Sequence, residues 1–249
     1  MTQASITEYG PIADLNDLLG YVLGKRQDPE DEWIFRGQRN FEWDLTPKID
    51  RAEYREYRES KKHKWDRRHH EERLLIDFQK GAWPDIALDR SHLWEWLAVA
   101  QHHGAATRLL DWTANPLAAL YFAVEDQNCG EDGAVWCYHH EGKSWMSEEN
   151  RDPFRIEDVT SFWPPHVTRR ITVQAGCFTA HPEPPAGTDQ RWQGERVRIK
   201  VAKEYRRVLL RALSKIGVTR STLFPDLDGL AATTNYRLSM MGHSKLDTP

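Results

Sequence analysis

The stretch "AQHHGAATRLLDWTANPLAALYFAV", Ala100 to Val124, constrains this fold more than any other. It is apolar enough to be core, yet it carries two adjacent histidines, a Thr-Arg pair and an Asp-Trp-Thr. A buried polar group needs a partner or a ligand, so these groups must gather where elements end. "SHLWEWLAVAQHHG" reads as a helix with Ser91 as N-cap and Gly104 as its stop. "TRLLDW" reads as a short buried strand. "NPLAALYFAVE" reads as a second helix with Asn115 as N-cap and Pro116 in its first turn. His102 and His103 then close one helix, Asp111, Trp112 and Thr113 lie at a strand exit, and Thr107 and Arg108 enter that strand, one of them pointing inward. A strand that feeds a helix N-terminus also presents backbone N–H groups that suit an anion.

The remaining segments predict an α+β chain. Residues 11–24 have helical spacing, with Pro11 in the first turn and Gly24 just past the end. Glu32–Gln38, "EWIFRGQ", alternates like a strand and carries Arg36, Gly37 and Gln38. "FEWDLTPKI" is a loop or short extended piece, which Pro47 keeps out of a helix. A helix follows near 70–80. Strands are expected at Gly133–His140, Arg170–His181 and Glu195–Val201, with the loop "HPEPPAGTD" between the last two. Lys203–Ile216 reads as an amphipathic helix with Tyr205, Val208, Leu209, Ala212, Leu213 and Ile216 on one face, ended by Gly217. "STLFPDLDGLA" gives a turn and a short helix, and the last ten residues are expected to fray. There is no repeat and no βαβ rhythm. The expected architecture is one mixed domain over residues 1–249, a small central sheet flanked by helices.

Composition excludes several classes. The 249 residues carry a net charge of -4, with 29% charged residues and a mean hydropathy of -0.73. No run approaches the ~18 apolar residues of a membrane span, and "MTQASITEYGPIADL" has no secretory pattern. Three scattered cysteines, Cys129, Cys137 and Cys177, fit a reducing compartment rather than a disulfide framework. These readings point to a cytoplasmic protein that does not engage membrane. Residues 51–73 hold nine Lys and Arg against six acids. That stretch is either a solvated segment or a basic arm for a phosphate backbone. No metal is expected. His102, His103, His139, His140 and Cys137 lack zinc-type spacing, and adjacent histidines on a helix point ~100° apart. Glycine-rich phosphate loops and the Gly-x-Ser-x-Gly turn are absent as well.

Each polar group has two readings. The paired histidines complement the negative end of a helix or act as acid–base groups. Asp111 and Thr113 serve as capping groups or line a site, and Trp112 is core or a stacking surface. Arg36, on an otherwise apolar strand, holds either a ligand or a structural ion pair with Glu72 or Asp111.

"FRGQ" (Phe35–Gln38), "QHHGAATRLLDWTANPLAALYFA" (Gln101–Ala123), "DGAVW" (Asp132–Trp136), "RITVQAGCFT" (Arg170–Thr179) and "LFPDLDGLA" (Leu223–Ala231) together resemble the FRG domain family of bacteria and phages, over residues 30–232. A weaker likeness is to ADP-ribosyltransferases, whose core opens on a strand ending in Tyr/Phe-Arg-Gly. That likeness implies NAD as substrate, with Arg36, beside Gly37 and Gln38, holding its phosphates. It places Thr113, Asp111, Thr107, Arg108 and Trp112 around the ribose and nicotinamide, Trp33 being a second candidate for stacking. Those enzymes carry a glutamate on a later strand, and the counterpart here is Gln174. Glutamine bonds a ribose hydroxyl but supplies no charge, so Glu72, Asp111 or Glu183 would replace it. His102 or His103 would take the acceptor's proton.

Three functions follow. The first is an NAD-consuming transferase or glycohydrolase acting as a toxin or anti-phage effector, with a nucleic-acid or protein acceptor and a restraining partner protein. The second is a nucleic-acid binder or metal-independent ribonuclease using His102 and His103. The third is a non-catalytic module for a nucleotide or a protein. The oligomeric state is left open.

Overall fold

The computed structural model describes residues 6–25, 32–54, 66–83, 85–86, 88–139, 152–164, 173–183, 192 and 194–243. Strand β1 (Ile6–Ile12) leads to α1 (Leu15–Lys25) and β2 (Trp33–Gln38). Then come α2 (Arg67–Ala82), α3 (Leu93–His102), β3 (Leu109–Thr113), α4 (Pro116–Val124) and β4 (Gly133–His139). The chain continues through β5 (Thr160–Phe162), β6 (Gly176–Ala180), β7 (Arg196–Val201), α5 (Arg206–Lys215), α6 (Arg220–Leu223) and α7 (Leu227–His243). The fold is α+β, and the sheet has seven strands in the order β1-β7-β4-β2-β3-β6-β5. β1 and β7 pair in parallel, and the other pairs are antiparallel.

The sheet consists of two half-sheets. β2 pairs with β4 at every residue from Trp33↔His139 to Gln38↔Ala134. β3 pairs with β6 from Leu109↔Ala180 to Thr113↔Gly176. Between them, β2 and β3 meet only at Phe35↔Thr113. Beyond that pair the strands diverge, and the opening becomes the cleft described below.

Helix α4 is apolar all round, and such a helix is buried all round. Ala118, Ala119, Leu120, Ala123 and Val124 are fully enclosed. They pack with Phe35, Val135, Val197, Ile199, Leu209 and Leu213 on one face of the sheet. Ile34, Leu110, Trp112, Trp136 and Tyr138 form the core of the opposite face. The contact between β2 and α4 is very close: a Cβ on Gly37 would lie 1.9 Å from the Ala119 carbonyl oxygen. Only glycine permits that approach.

Several predicted elements match. Asn115 caps α4, its Oδ1 accepting from the Leu117 and Ala118 amides, with Pro116 at the first position. Gly104, at φ 84°, ends α3 in a reversal in which the Ala105 amide donates to the Ala100 carbonyl and the Gly104 amide to the Gln101 carbonyl.

Other elements differ. Pro11 lies in β1, at the irregularity between the Tyr9↔Ile199 and Ile12↔Val201 pairs with β7; α1 starts after Asp14, whose Oδ1 accepts from the Asn16 and Asp17 amides, and Gly24 falls inside it. Ser91 does not cap α3. Its amide and hydroxyl both donate to Asp89, leaving His92 at the N-cap without a side-chain bond. Helix α5 is rotated from the expected face. Arg206, Leu209, Leu210 and Leu213 are buried, while Tyr205, Val208 and Ile216 are exposed. β6 begins at Gly176 rather than near Arg170, because Ala175 turns at φ 47°. The short C-terminal helix is instead 17 residues long and runs to His243, where fraying was expected. Residues 55–65, His140, 170–172, 184–189 and 244–249, to which expectations were also attached, lie outside the described residues.

Gly37→Ala drives a methyl into backbone of α4 that cannot yield. The expected loss is about 1–3 kcal/mol or more, a fall in melting temperature of about 2–4 °C per kcal/mol, measured by calorimetry.

Candidate functional site

The two half-sheets open into a cleft of about 1320 Å³, larger than most small-molecule sites. Residues 35–39 and the loop 42–52 form one side. Residues 111–113 and 174–178 form the other, and Gln101 and His102 close one end.

Arg36 stands where the strands part. Its Nη1 donates to the Asp111 carbonyl oxygen at 2.7 Å, which gives a β3 acceptor the partner that β2 backbone does not supply. The Asp111 carboxylate lies 3.8 Å away. The guanidinium Nε is buried and has no partner among the described residues. Burial presses the Arg36 pKa below its ordinary value, Asp111 opposes that shift, and the charge of Arg51 adds to it. Arg36 and Arg51 therefore repel one another at the cleft, and Arg51 forms no ion pair among the described residues; its Nε reaches only the Thr46 carbonyl, at 3.5 Å.

Asp111 is the exposed carboxylate of this end, its side chain 58% accessible. Its orientation is set from the backbone. The Leu109 amide donates to Thr107 Oγ1 at 3.1 Å, so the Thr107 hydroxyl hydrogen is directed to Gln101 Oε1 at 2.6 Å. That leaves Gln101 Nε2 as the donor to Asp111 Oδ2 at 2.9 Å. Gln101 thus fixes the Asp111 carboxylate in place beside the Arg36 guanidinium.

The remaining predicted residues divide between wall and interior. Gly37 touches the cleft, but its close approach to α4 is what demands glycine. Gln38 is buried, accepting from Trp136 Nε1 at 2.8 Å and donating to the Asp44 carbonyl at 3.4 Å. Thr113 Oγ1 donates to the Gln174 carbonyl at 2.5 Å and accepts from the Asn115 amide. Gln174 sits in the turn before β6, its amide tied to the Leu223 carbonyl at 3.0 Å. Trp112 backs the cleft but is buried, with Nε1 on Thr179 Oγ1. Trp33 is core, stacked on His139. The α4 N-terminus offers no open anion site, because Asn115 takes its leading donors. His102 lines the cleft, whereas His103 packs its ring toward Phe78, 6.3 Å between centroids.

Arg108 points away from the cleft. It forms a two-pronged pair with Glu71, at 3.1 and 2.5 Å, and donates to the Pro153 carbonyl. Arg67 joins the same buried group through Glu71 at 3.4 Å and Asp50 at 3.2 Å. Glu72, considered above as a partner for Arg36, instead pairs with Arg68 at 2.6 Å on the surface. Arg206 was missed by the sequence reading. It donates to the carbonyls of Ala123, Glu131 and Arg39. Its signal was present, since Arg206, Leu209 and Leu213 share helical spacing. Gln101 was missed too, and spacing does not reveal it, because its partners lie beyond the chain reversal at Gly104.

Cys177 reaches the cleft floor but is fully buried, and burial pushes its thiol above the ordinary value. Among the described residues no group of three or more His, Cys, Asp or Glu side chains could hold a metal. No described helix is long and apolar enough to cross a membrane.

Residues 31–132 match the family model of the FRG domain. The match contains the Phe35–Gln38 motif and the whole of Ala100–Val124, and it ends before β4, so an FRG domain is present over residues 31–132. Neither the curated proteins nor the solved structures compared with it include a match.

Glu71→Gln leaves two buried guanidinium groups short of a countercharge, with an expected loss of about 3–5 kcal/mol. Glu72→Gln, which breaks an exposed pair, costs less than about 1 kcal/mol. Urea unfolding of the two variants side by side measures the contrast.

Proposed function

We propose that the cleft binds a phosphate-bearing nucleotide, with NAD as the substrate. The observation that carries this reading is the Arg36 guanidinium, lining the cleft at the strand split with no partner for Nε among the described residues and Arg51 as a second cation nearby. A phosphate between the two would relieve their repulsion and receive charge-assisted hydrogen bonds. The lining holds four arginines, at 36, 39, 51 and 220, and six acids, at 42, 44, 50, 111, 125 and 126. The acids at 50, 111, 125 and 126 each face an arginine. Mixed charge of this kind suits NAD, which carries an anionic diphosphate and a cationic pyridinium.

In this reading the bond between nicotinamide and the ribose C1′ breaks, and the electron pair leaves with nicotinamide. Positive charge develops on the sugar. Asp111, positioned by Gln101, stabilises that charge, the work that Gln174 cannot do. Water or an acceptor hydroxyl then attacks C1′, and His102 takes its proton. His103, Arg108 and Thr107 do not line the cleft and take no direct part in this chemistry. An activity that consumes NAD accords with a toxin or anti-phage effector kept in check by a partner protein.

Released nicotinamide, quantified after incubation with NAD, tests the reading. Asp111→Asn is expected to lower the rate on the order of 10²–10³-fold. Arg36→Lys is expected to weaken NAD binding on the order of tenfold to a hundredfold in calorimetry, with a melting temperature within about 5 °C of wild type. Wild-type protein that binds no phosphate-bearing nucleotide overturns the proposal, as does a collapse in the stability of Arg36→Lys, which would make Arg36 purely structural.

A further inference from the structure

The cleft has a second end whose chemistry the strand split does not explain. Trp43 stands on the rim of the loop after β2 with 45% of its surface exposed. The Arg39 guanidinium lies over its ring at 5.1 Å and is held there by Asp126 at 3.4 Å. Asp126 follows Glu125, which pairs with Arg220 at 2.6 Å. Arg220 in turn lies over the Phe224 ring at 4.4 Å. These six side chains form a continuous wall from β2, α4 and α6, and each belongs to the cleft lining.

The charge at this end is balanced. Each arginine has a carboxylate on one side and an aromatic ring on another, so neither is left over for a phosphate. The end near Arg36 and Arg51 has the opposite character: among the described residues Arg51 forms no ion pair and Arg36 has no partner at Nε. Trp83 is also exposed and faces an arginine, but it lies outside the cleft; what distinguishes Trp43 is its place in the cleft lining, where an indole backed by a cation suits a planar ring. The volume also exceeds what a phosphate or a sugar phosphate fills.

We infer that this end is a base subsite, in which a planar heteroaromatic ring of the ligand stacks on the open face of Trp43 while its phosphate lies at Arg36. The inference rests on the nucleotide reading above and deepens it: the ligand class is a nucleotide with its base attached, and the ligand lies with its phosphate at the split and its base toward α6. Trp43 is a specificity-determining residue. The paired carboxylates Glu125 and Asp126 hold the arginines that support the wall.

Calorimetric titration of the full chain with AMP and with ribose 5-phosphate tests this, because the two differ only in the base. Stacking on one aromatic ring is expected to make AMP bind about tenfold tighter. Trp43→Ala is expected to bring AMP down to the ribose 5-phosphate level without altering the latter, and Trp43→Phe to keep most of the gap. Trp43 is half-exposed and belongs to no hydrophobic cluster among the described residues, so the variants report on binding rather than folding. Equal affinity of wild type for the two ligands overturns the base subsite and leaves the phosphate reading standing. An AMP preference that survives Trp43→Ala overturns the role of Trp43. Binding of neither ligand overturns both this inference and the reading beneath it.

Discussion

The structure depends on one substitution of partners: a side chain completes a sheet where the backbone does not. β2 and β3 touch through Phe35 and Thr113 and then separate. The Asp111 carbonyl, which continued pairing would satisfy, accepts from the Arg36 guanidinium instead. Arg36 thus supplies the donor that continued strand pairing would have given this carbonyl at the edge of the cleft. The same interaction joins the two half-sheets and places a guanidinium at the edge of a cavity. Scaffold and site are therefore hard to separate around Arg36.

Each half-sheet has its own tether. On the β3 side, Arg108 and Arg67 share Glu71, and Arg67 also meets Asp50, so α2 is bound both to the start of β3 and to the turn that carries Arg51. On the β2 side, Arg206 collects carbonyls from the residue after β2, the end of α4 and the residue before Asp132. Buried ion pairs gain little net stability but are costly to break. Their effect here is geometric: they hold the two walls at a fixed separation. The third residue of the Phe-Arg-Gly motif contributes in another way, letting α4 press against β2 so that Asp126 and Glu125 arrive at the far end of the cleft.

The local periodicities were legible. Helix α4 with its Asn115 cap, the Gly104 stop, and strands β2, β3, β4 and β7 follow from spacing and capping chemistry within a few residues of one another. The failures share a cause. Pro11 was assigned to a helix because the parallel partner of β1 lies about 190 residues away. The inward face of α5 was misjudged because Arg206, although it shares helical spacing with Leu209 and Leu213, is charged, and the carbonyls that allow its burial come from three distant segments. Gln174 was expected on a strand, but the turn at Ala175 ends the ladder first. At the site, Arg36, Asp111 and His102 could be singled out as polar groups in apolar surroundings, whereas Gln101 and Trp43 looked ordinary.

The amino-acid sequence alone determined the element types around Ala100–Val124, the α+β class and the presence of an FRG domain, because caps, glycine stops and apolar runs act over a few residues. Tertiary structure decided which polar groups face the cleft and which are enclosed. Thr107 and Arg108 are neighbours in the chain, yet one supports Asp111 and the other is sealed against Glu71. The physical reason is that both residues precede β3, Arg108 at a bend, where no local periodicity fixes side-chain direction, and only packing settles which one meets Gln101 and which meets a buried countercharge.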